Sequence, residues 1–317
     1  MRLLADFFSK YLSLLIPIVA VATYFSAFVW KVPTWVPSLF LGFVIFFTGL
    51  SMNTAALKET RYKKKELFIT VLLKWTMSVL VGIILALLFF QSVPEIAAGV
   101  ILTGAVPSAT AATLYTFMAG GNISLVIASS LLDVGLSPLI APLAMNTIDA
   151  GTISISFLSL LRSFAVIVII PLAAGITLQR LFPQLPHRTV YLTKFLSPLS
   201  LLVVIHTLTA SVKSFFAEEM HLFPLLILAC ILQTVIPMAS SYYIAKKAFS
   251  SKNDAIAAMF QVSLSNSALA GILAFQFFGG LGAVAPILNL IINLSIGAQV
   301  SNYLASKQTP LPRKQIA

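Results

Sequence analysis

Ten apolar segments, separated by charged or turn-forming clusters, dominate this 317-residue chain. Most have about the 20 helical residues needed to cross a bilayer core about 30 Å thick. Only 9% of the residues are charged, against about 25% in a soluble domain. The pattern predicts an all-α polytopic membrane protein. Its ten predicted transmembrane helices are 11–30, 35–55, 66–90, 95–118, 122–146, 155–182, 190–212, 222–245, 254–277 and 281–305.

Basic residues are concentrated in alternate loops between these segments. Sixteen of the 20 Lys and Arg residues lie in the N-terminal segment, the even-numbered loops and the C-terminal tail, five of them in "KETRYKKKE" (58–66). An excess of Lys and Arg marks cytoplasmic loops, so both termini are predicted to be cytoplasmic, in a bacterial inner membrane. This placement accounts for the net charge of +11 without a nucleic-acid partner.

Two of the predicted helices are interrupted at membrane depth. The fourth contains "VPSATAATLY" (106–115) and the ninth contains "QVSLSNSALA" (261–270). Lipid supplies no hydrogen-bond partner for broken backbone, so such stretches must be buried in protein or line a cavity. Both interruptions lie about 15–20 Å from the point where their helices enter the membrane, and they can therefore meet near the midplane. Taken singly, each is also compatible with a proline kink or a polar patch between helices.

The two halves of the chain share a pattern. "FMAGGN" (117–122) follows the fourth helix as "FFGGLG" (277–282) follows the ninth. Because five helices per half is an odd number, the second half is predicted to insert upside down relative to the first. Residues 1–150 and 151–317 are thus predicted to be two inverted five-helix repeats, an arrangement typical of secondary transporters.

The half-helices that follow the two interruptions are predicted to begin near Thr110 and Ser267. Free N–H groups and the positive end of the helix dipole make a helix N-terminus favourable for anions. The sequence therefore predicts an anion site between the two ends. It contains no recognisable ATP-binding loop, metal-ligand cluster or nucleophile with a base, which argues against an ATP-driven pump or an enzyme.

The chain resembles the bile acid:sodium symporter family in "FFTGLSMNTAALK", "GVILTGAVPSATAATLYTFMAGGNISL", "LSPLIAPL" and "QVSLSNSALA". The similarity extends over essentially the whole length. It implies that the broken fourth and ninth helices cross within a core domain, which moves against a panel domain made of the first, second, sixth and seventh helices. It also implies organic-anion substrates such as bile acids, pantoate or keto acids. By resemblance, the substrate-binding residues are Thr110, Ala111, Asn266 and Ser267.

The positions that correspond to the family's two sodium sites depart from its pattern. Gln261 replaces the shared carboxylate, Ser265 replaces a later Gln, and Lys74 replaces a Gln of the third helix. A hard cation needs a shell of oxygen ligands, so sodium is expected to bind weakly. The residues assigned to ion coupling, at what would be vestigial sodium sites, are Lys74, Thr113, Ser130, Asp133, Gln261, Ser263 and Ser265.

Lys74 and Asp133 are ionisable residues within predicted helices, about 12 and 16 Å from the cytoplasmic face. A charged group at such depth costs about 2.5–3.5 kcal/mol and normally faces a cavity or a partner. Lys74 is predicted to occupy a vacated cation site near Ser130 and Gln261. The alternative is a structural ion pair between Lys74 and Asp133 with no role in transport.

The leading hypothesis is a secondary active transporter of a small or amphipathic organic anion, with its sodium coupling weakened or replaced. The alternatives are a sodium-coupled symporter of the usual family type and a non-transporting membrane receptor with the same fold. The expected partners are the substrate and the lipid bilayer, and the protein is expected to be a monomer. No cofactor is expected, and Na⁺ is the candidate coupling ion.

Overall fold

A computed structural model describes residues 2–26, 33, 35–52, 60–147, 156–213 and 219–307. In these parts of the chain the regular structure is helical, apart from one isolated β-bridge. The helices are α1 (Arg2–Phe25), α2 (Trp35–Ser51), α3 (Lys64–Phe89), α4 (Pro94–Ala105), α5 (Thr110–Met118), α6 (Ile123–Met145), α7 (Phe157–Leu181), α8 (Leu185–Ser211), α9 (Met220–Ala248), α10 (Lys252–Ser263) and α11 (Ser267–Ser306).

Six of these helices are long and apolar enough to cross a membrane, namely α3, α6, α7, α8, α9 and α11. Shorter apolar helices are α2, α4 and residues Leu14–Phe25 of α1. Large apolar side chains such as Leu88, Leu143 and Leu158 are exposed on the helix surfaces. An extensive exposed apolar surface is rare on a soluble monomer, so the protein is an integral membrane protein.

Most of the predicted segment ends lie within three residues of an observed helix end or kink. Two helices begin more than three residues earlier than predicted: α1 begins at Arg2 and α8 at Leu185. Both continue the helix N-terminally beyond the predicted apolar segment, and in α8 a proline occupies the first turn, where it is well tolerated. The predicted ends at residues 30 and 55 lie outside the described residues.

The helices pack in two groups. Helices α1, α2, α7 and α8 pack mainly against one another, whereas α3 to α6 pack with α9, α10 and α11. Helix α8 also contacts α11, and α6 contacts α7, which joins the groups. Within each group glycines allow close contact, because a Cβ on Gly175 or Gly99 would collide with the main-chain oxygen of Phe46 or Gly282, respectively. Such van der Waals packing drives helix association in lipid.

Among the described residues, two glycines adopt left-handed backbone conformations, Gly120 with φ 64° and Gly279 with φ 71°. Gly120 follows the end of α5, and Gly279 divides α11 into two helical parts. Each is the first glycine of the Gly-Gly pair in "FMAGGN" or "FFGGLG". The sequence similarity between the halves therefore reflects a backbone conformation that glycine adopts without strain.

Candidate functional site

The two predicted interruptions lie side by side. One separates α4 from α5, and the other separates α10 from α11. The Ala109 N–H donates to the Leu264 carbonyl at 2.7 Å, and the Asn266 N–H donates to the Pro107 carbonyl at 2.8 Å. An antiparallel β-bridge forms between them. The interruptions thus satisfy each other's backbone groups, which lipid cannot do.

A polar cluster lies directly beside this crossing point. The Ser108 hydroxyl has two acceptors within reach, Asp133 Oδ2 at 2.9 Å and the Gln261 carbonyl at 2.5 Å. Gln261 Nε2 donates to the same Asp133 oxygen at 2.8 Å, and Ser130 Oγ donates to Gln261 Oε1 at 3.2 Å. Asp133 and Gln261 are fully buried. Helices α6 and α10 therefore present a connected set of polar groups to the break between α4 and α5.

Lys74 contacts the crossing point at Ser265. Its Nζ donates to Ser265 Oγ at 2.7 Å, and the whole residue is buried. Lys74 opens a π-helical turn, Lys74–Ser78, within α3, and such turns often occur at functional sites. Within the described residues, no ion pair joins Lys74 directly to Asp133. The two charges are connected through the β-bridge instead, because Ser265 pairs there with Ser108.

One oxygen of this cluster has no partner. Asp133 Oδ1 is buried and accepts no hydrogen bond from the described residues. Burying a polar atom without a hydrogen-bond partner costs about 1–3 kcal/mol, because the atom loses its hydration and gains no bond in exchange. The position beside Asp133 Oδ1 is therefore suited to one additional hydrogen-bond donor or small cation.

The four residues assigned to substrate binding lie at the two helix N-termini, but they differ in exposure. Thr110 is exposed, Ala111 and Asn266 are half-buried, and Ser267 is buried. Asn266 caps α11, since its Oδ1 accepts a main-chain N–H from the first turn at 3.2 Å. The Ser267 hydroxyl donates to Asn289 Oδ1 at 2.8 Å. The first three residues are thus at least partly exposed, whereas Ser267 is buried and has an internal partner.

Two residues assigned to ion coupling are not joined to the cluster. Ser263 Oγ donates to the Met259 carbonyl of its own helix at 2.8 Å. Thr113 is half-buried on α5, and none of the hydrogen bonds found among the described residues connects it to Asp133 or Lys74. The structure brings together Lys74, Ser130, Asp133, Gln261 and Ser265.

Sequence reasoning missed several polar residues that complete the site. Ser108 is the link to Asp133, although it lies within the interrupted stretch that the sequence singled out. Asn293 Nδ2 donates to the Ser265 carbonyl at 3.1 Å and to Ser267 Oγ at 3.0 Å, and it also donates to Asn289. Asn289 and Asn293 are four residues apart, and therefore on one face of an apolar helix. That spacing was the available signal.

The described residues contain no group of three or more His, Cys, Asp or Glu side chains that could hold a metal ion. Among the described residues, the acceptors around the crossing point besides Asp133 are hydroxyl, amide and main-chain oxygens, and the one cationic side chain in contact with them is Lys74. Such a site can bind anions at its helix N-termini and place a positive charge close behind them.

Sequence comparison identifies the family. A profile of the Sodium Bile acid symporter family matches residues 38–219. An "uncharacterized sodium-dependent transporter" of Bacillus subtilis, YocS, is 30% identical over 280 residues, which cover 86% of this chain and 85% of that protein. YbaS of the same organism is 22% identical over 285 residues, 88% of this chain and 90% of its own length. A "probable sodium/metabolite cotransporter" of Arabidopsis thaliana chloroplasts, BASS1, is 29% identical over 175 residues, 55% of this chain and 41% of the plant protein. The chain therefore belongs to the sodium bile acid symporter family, and it is a transporter.

Proposed function

We propose that the protein is a secondary active transporter of a small or amphipathic organic anion, which it moves by alternating access, with its coupling to sodium weakened or replaced. Carboxylates such as a bile acid, pantoate or a keto acid are the substrates that the family resemblance favours. The transporter class rests on family membership. The substrate class and the altered coupling rest on the geometry of the crossing point.

The anion preference is supported by the two helix N-termini. Helices α5 and α11 begin immediately after the paired backbone of the crossing point, so their positive dipole ends are adjacent. Thr110, Ala111 and Asn266 are accessible there and offer main-chain and side-chain donors. A carboxylate is therefore the ligand group that this arrangement favours.

The altered coupling is supported by one observation, the 2.7 Å contact between Lys74 Nζ and Ser265 Oγ. An ammonium group held at this oxygen supplies a positive charge close to the crossing point. It also occupies an oxygen that a sodium ion would need, and a nearby sodium ion would be repelled. Transport would then proceed as uniport or exchange, or with a proton in place of sodium.

The two-group packing supports a moving-domain mechanism. The group of α1, α2, α7 and α8 contains the first, second, sixth and seventh predicted helices, which is the panel domain that the resemblance implies. The group containing the crossing point corresponds to the core domain. Its polar residues are buried among helices that would move together, and the substrate site would be exposed alternately by displacement against the panel.

The predicted orientation has support from contacts between residues near helix ends. Lys65 Nζ donates to the Ala248 carbonyl at 2.9 Å, which brings the basic segments before α3 and after α9 to the same end of the molecule. Lys194 on α8 lies 3.5 Å from Asp6 near the start of α1. We therefore place these ends, and both chain termini, in the cytoplasm of a bacterial cell.

A second candidate is sodium-coupled symport of the usual family type. The observation that favours it is the unpartnered Asp133 Oδ1, which offers a carboxylate oxygen to a cation. Two of the relatives, YocS and BASS1, also have sodium in their names.

Uptake by proteoliposomes tests the proposal. A thermal-shift screen of organic acids first identifies a substrate, and uptake of the labelled compound is then measured with sodium replaced by potassium or choline at fixed pH. The proposal expects accumulation or exchange that persists without sodium. A steep sodium requirement with a Hill coefficient near two would establish the second candidate instead, and binding without transport would indicate a receptor.

A further inference from the structure

A second polar cluster lies away from the crossing point, at the N-terminal ends of three helices. Lys63 Nζ contacts both oxygens of Asp254, at 2.8 and 2.6 Å. Asn122 Nδ2 donates to Asp254 Oδ1 at 2.7 Å, and the Asn122 N–H donates to the Asn253 carbonyl at 3.0 Å. Asp254 is 2% exposed, whereas Lys63 is 37% exposed. This outer cluster, defined as Lys63, Asn122 and Asp254, thus joins the starts of α3, α6 and α10.

Helices α3 and α6 carry Lys74 and Asp133 to the crossing point, and Ser265 lies two residues past the end of α10, in the interruption. Lys74, Asp133 and Ser265 each lie 11 residues after a member of the outer cluster, namely after Lys63, Asn122 and Asp254 respectively. Eleven residues are about three turns of α-helix, or about 16 Å, and they return nearly to the same face. The inner cluster, defined as Lys74, Asp133 and Ser265, therefore lies about three turns beyond the outer cluster along the same stretches of chain.

The two clusters are separated by an apolar layer. Leu67 of α3, Val126 of α6 and Ile256 and Phe260 of α10 belong to one hydrophobic cluster between them. The α3, α6 and α10 helices also contact one another in pairs. Buried Thr70 and Ser129 also lie between the clusters, but no side-chain hydrogen bond found among the described residues links one cluster to the other. An influence of one cluster on the other must therefore travel through the axial and rotational position of the helices.

We propose that Lys63, Asn122 and Asp254 are positioning residues that hold α3, α6 and α10 in the register at which Lys74 meets Ser265 and Asp133 meets Ser108. A shift of one residue along a helix moves a side chain about 1.5 Å and rotates it by about 100°. Hydrogen bonds of 2.7–2.9 Å do not survive such a change. The outer cluster thus determines whether the buried ammonium stays at the helix break.

This proposal depends on the proposed function only for its consequence in transport. If the protein transports an organic anion, register at the crossing point sets both the substrate site and the charge behind it. The contact itself is independent of substrate, so it can be tested without one. A negative uptake assay would not change the outcome expected in this test, and a negative result in this test would not contradict the proposed function.

The test is hydrogen–deuterium exchange on the full chain in lipid nanodiscs. The reporters are peptides that contain the Ala109 and Asn266 amides, which form the two crossing hydrogen bonds. Lys63→Met and Asp254→Asn are the test variants. Lys63→Arg is the conservative variant, because arginine can bind both carboxylate oxygens. Lys65→Met is the matched control, since it removes a charge from the same segment, where Lys65 bonds a main-chain carbonyl.

We expect exchange at the two crossing amides to rise at least about threefold in both test variants and to stay near the wild-type rate in Lys63→Arg and Lys65→Met. An increase in exchange confined to residues 60–66 and 250–256 would overturn the proposal, because it would show that the outer cluster stabilises only the helix ends that it joins. An equal increase in Lys65→Met would also overturn it. If the test variants do not yield monodisperse protein, Asn122→Ser replaces them. It keeps an N-cap hydroxyl but removes the bond to Asp254, and the same two outcomes apply.

Discussion

Replacing Lys74 by Gln is expected to create a sodium response that the wild-type protein lacks. Lys74 is fully buried and donates to Ser265 Oγ at 2.7 Å. Gln removes the positive charge and supplies a side-chain oxygen in its place. Lys74 disfavours cation binding in two ways, because its ammonium group is positively charged and has no lone pair to donate to a metal ion. The Gln variant changes both properties.

The magnitude follows from the contact distance. A small hard cation lies about 2.4 Å from its oxygen ligands, so a sodium ion sharing Ser265 Oγ would lie at most about 5 Å from Nζ of Lys74. Two unit charges at about 5 Å repel by about 3 kcal/mol at an effective dielectric of 20. That energy corresponds to more than a hundredfold in affinity.

Thermal unfolding of the purified protein measures the effect. Sodium chloride is titrated against potassium chloride at constant ionic strength. At ten times its dissociation constant, a bound ion stabilises the folded state by about 1.4 kcal/mol, which is about 3 °C in the unfolding midpoint for a chain of this size. Lys74→Gln should show this shift with sodium alone, and the wild type should not.

Two further variants test the loss of the positive charge separately from the presence of oxygen ligands for sodium. Lys74→Met removes the charge without adding an oxygen and should respond to sodium less than Lys74→Gln. The double variant Lys74→Gln/Asp133→Asn removes the carboxylate and should lose the response. A sodium-specific shift in the wild type as large as that of Lys74→Gln would refute the reasoning, because the ammonium would then not exclude the ion.

Three other outcomes are expected. Asn266→Ala should weaken substrate binding about tenfold or more, since a hydrogen bond to a charged group contributes about 1.5–3 kcal/mol. Asn266→Ser keeps an N-cap acceptor and therefore controls for the loss of helix capping. Unchanged binding in a folded Asn266→Ala variant would contradict the proposed substrate site. With Cys230 replaced by Ser, Lys64→Cys should resist an impermeant thiol reagent applied to intact cells, and efficient labelling from outside would reverse the topology. Gly104→Ala should lower the free energy of unfolding by about 1–3 kcal/mol, because the alanine Cβ would collide with a main-chain oxygen of α3. Gly135→Ala is the control and should be better tolerated in the same thermal assay, because a Cβ at Gly135 meets no atom within 4 Å.

Local sequence patterns predicted the parts of the molecule that depend on neighbouring residues. Apolar runs indicated the helices because a bilayer requires about 20 apolar residues in a row. Proline and hydroxyl residues at membrane depth indicated both interruptions, and the structure confirms that these lie together. The left-handed Gly120 and Gly279 also lie where the two halves share a motif.

The sequence by itself determined the membrane class and the helix breaks, and it placed Lys74 and Asp133 within helices. Only the tertiary structure decided that Lys74 bonds Ser265 and that Ser108 links the break to Asp133. These contacts join residues more than twenty positions apart, and they depend on the axial shift and rotation of separate helices. The π-helical turn that begins at Lys74 changes that rotation within α3, and hydrophobic periodicity alone does not reveal it. Periodicity reports which side of a helix is apolar, whereas side-chain partners are set by how several helices pack together.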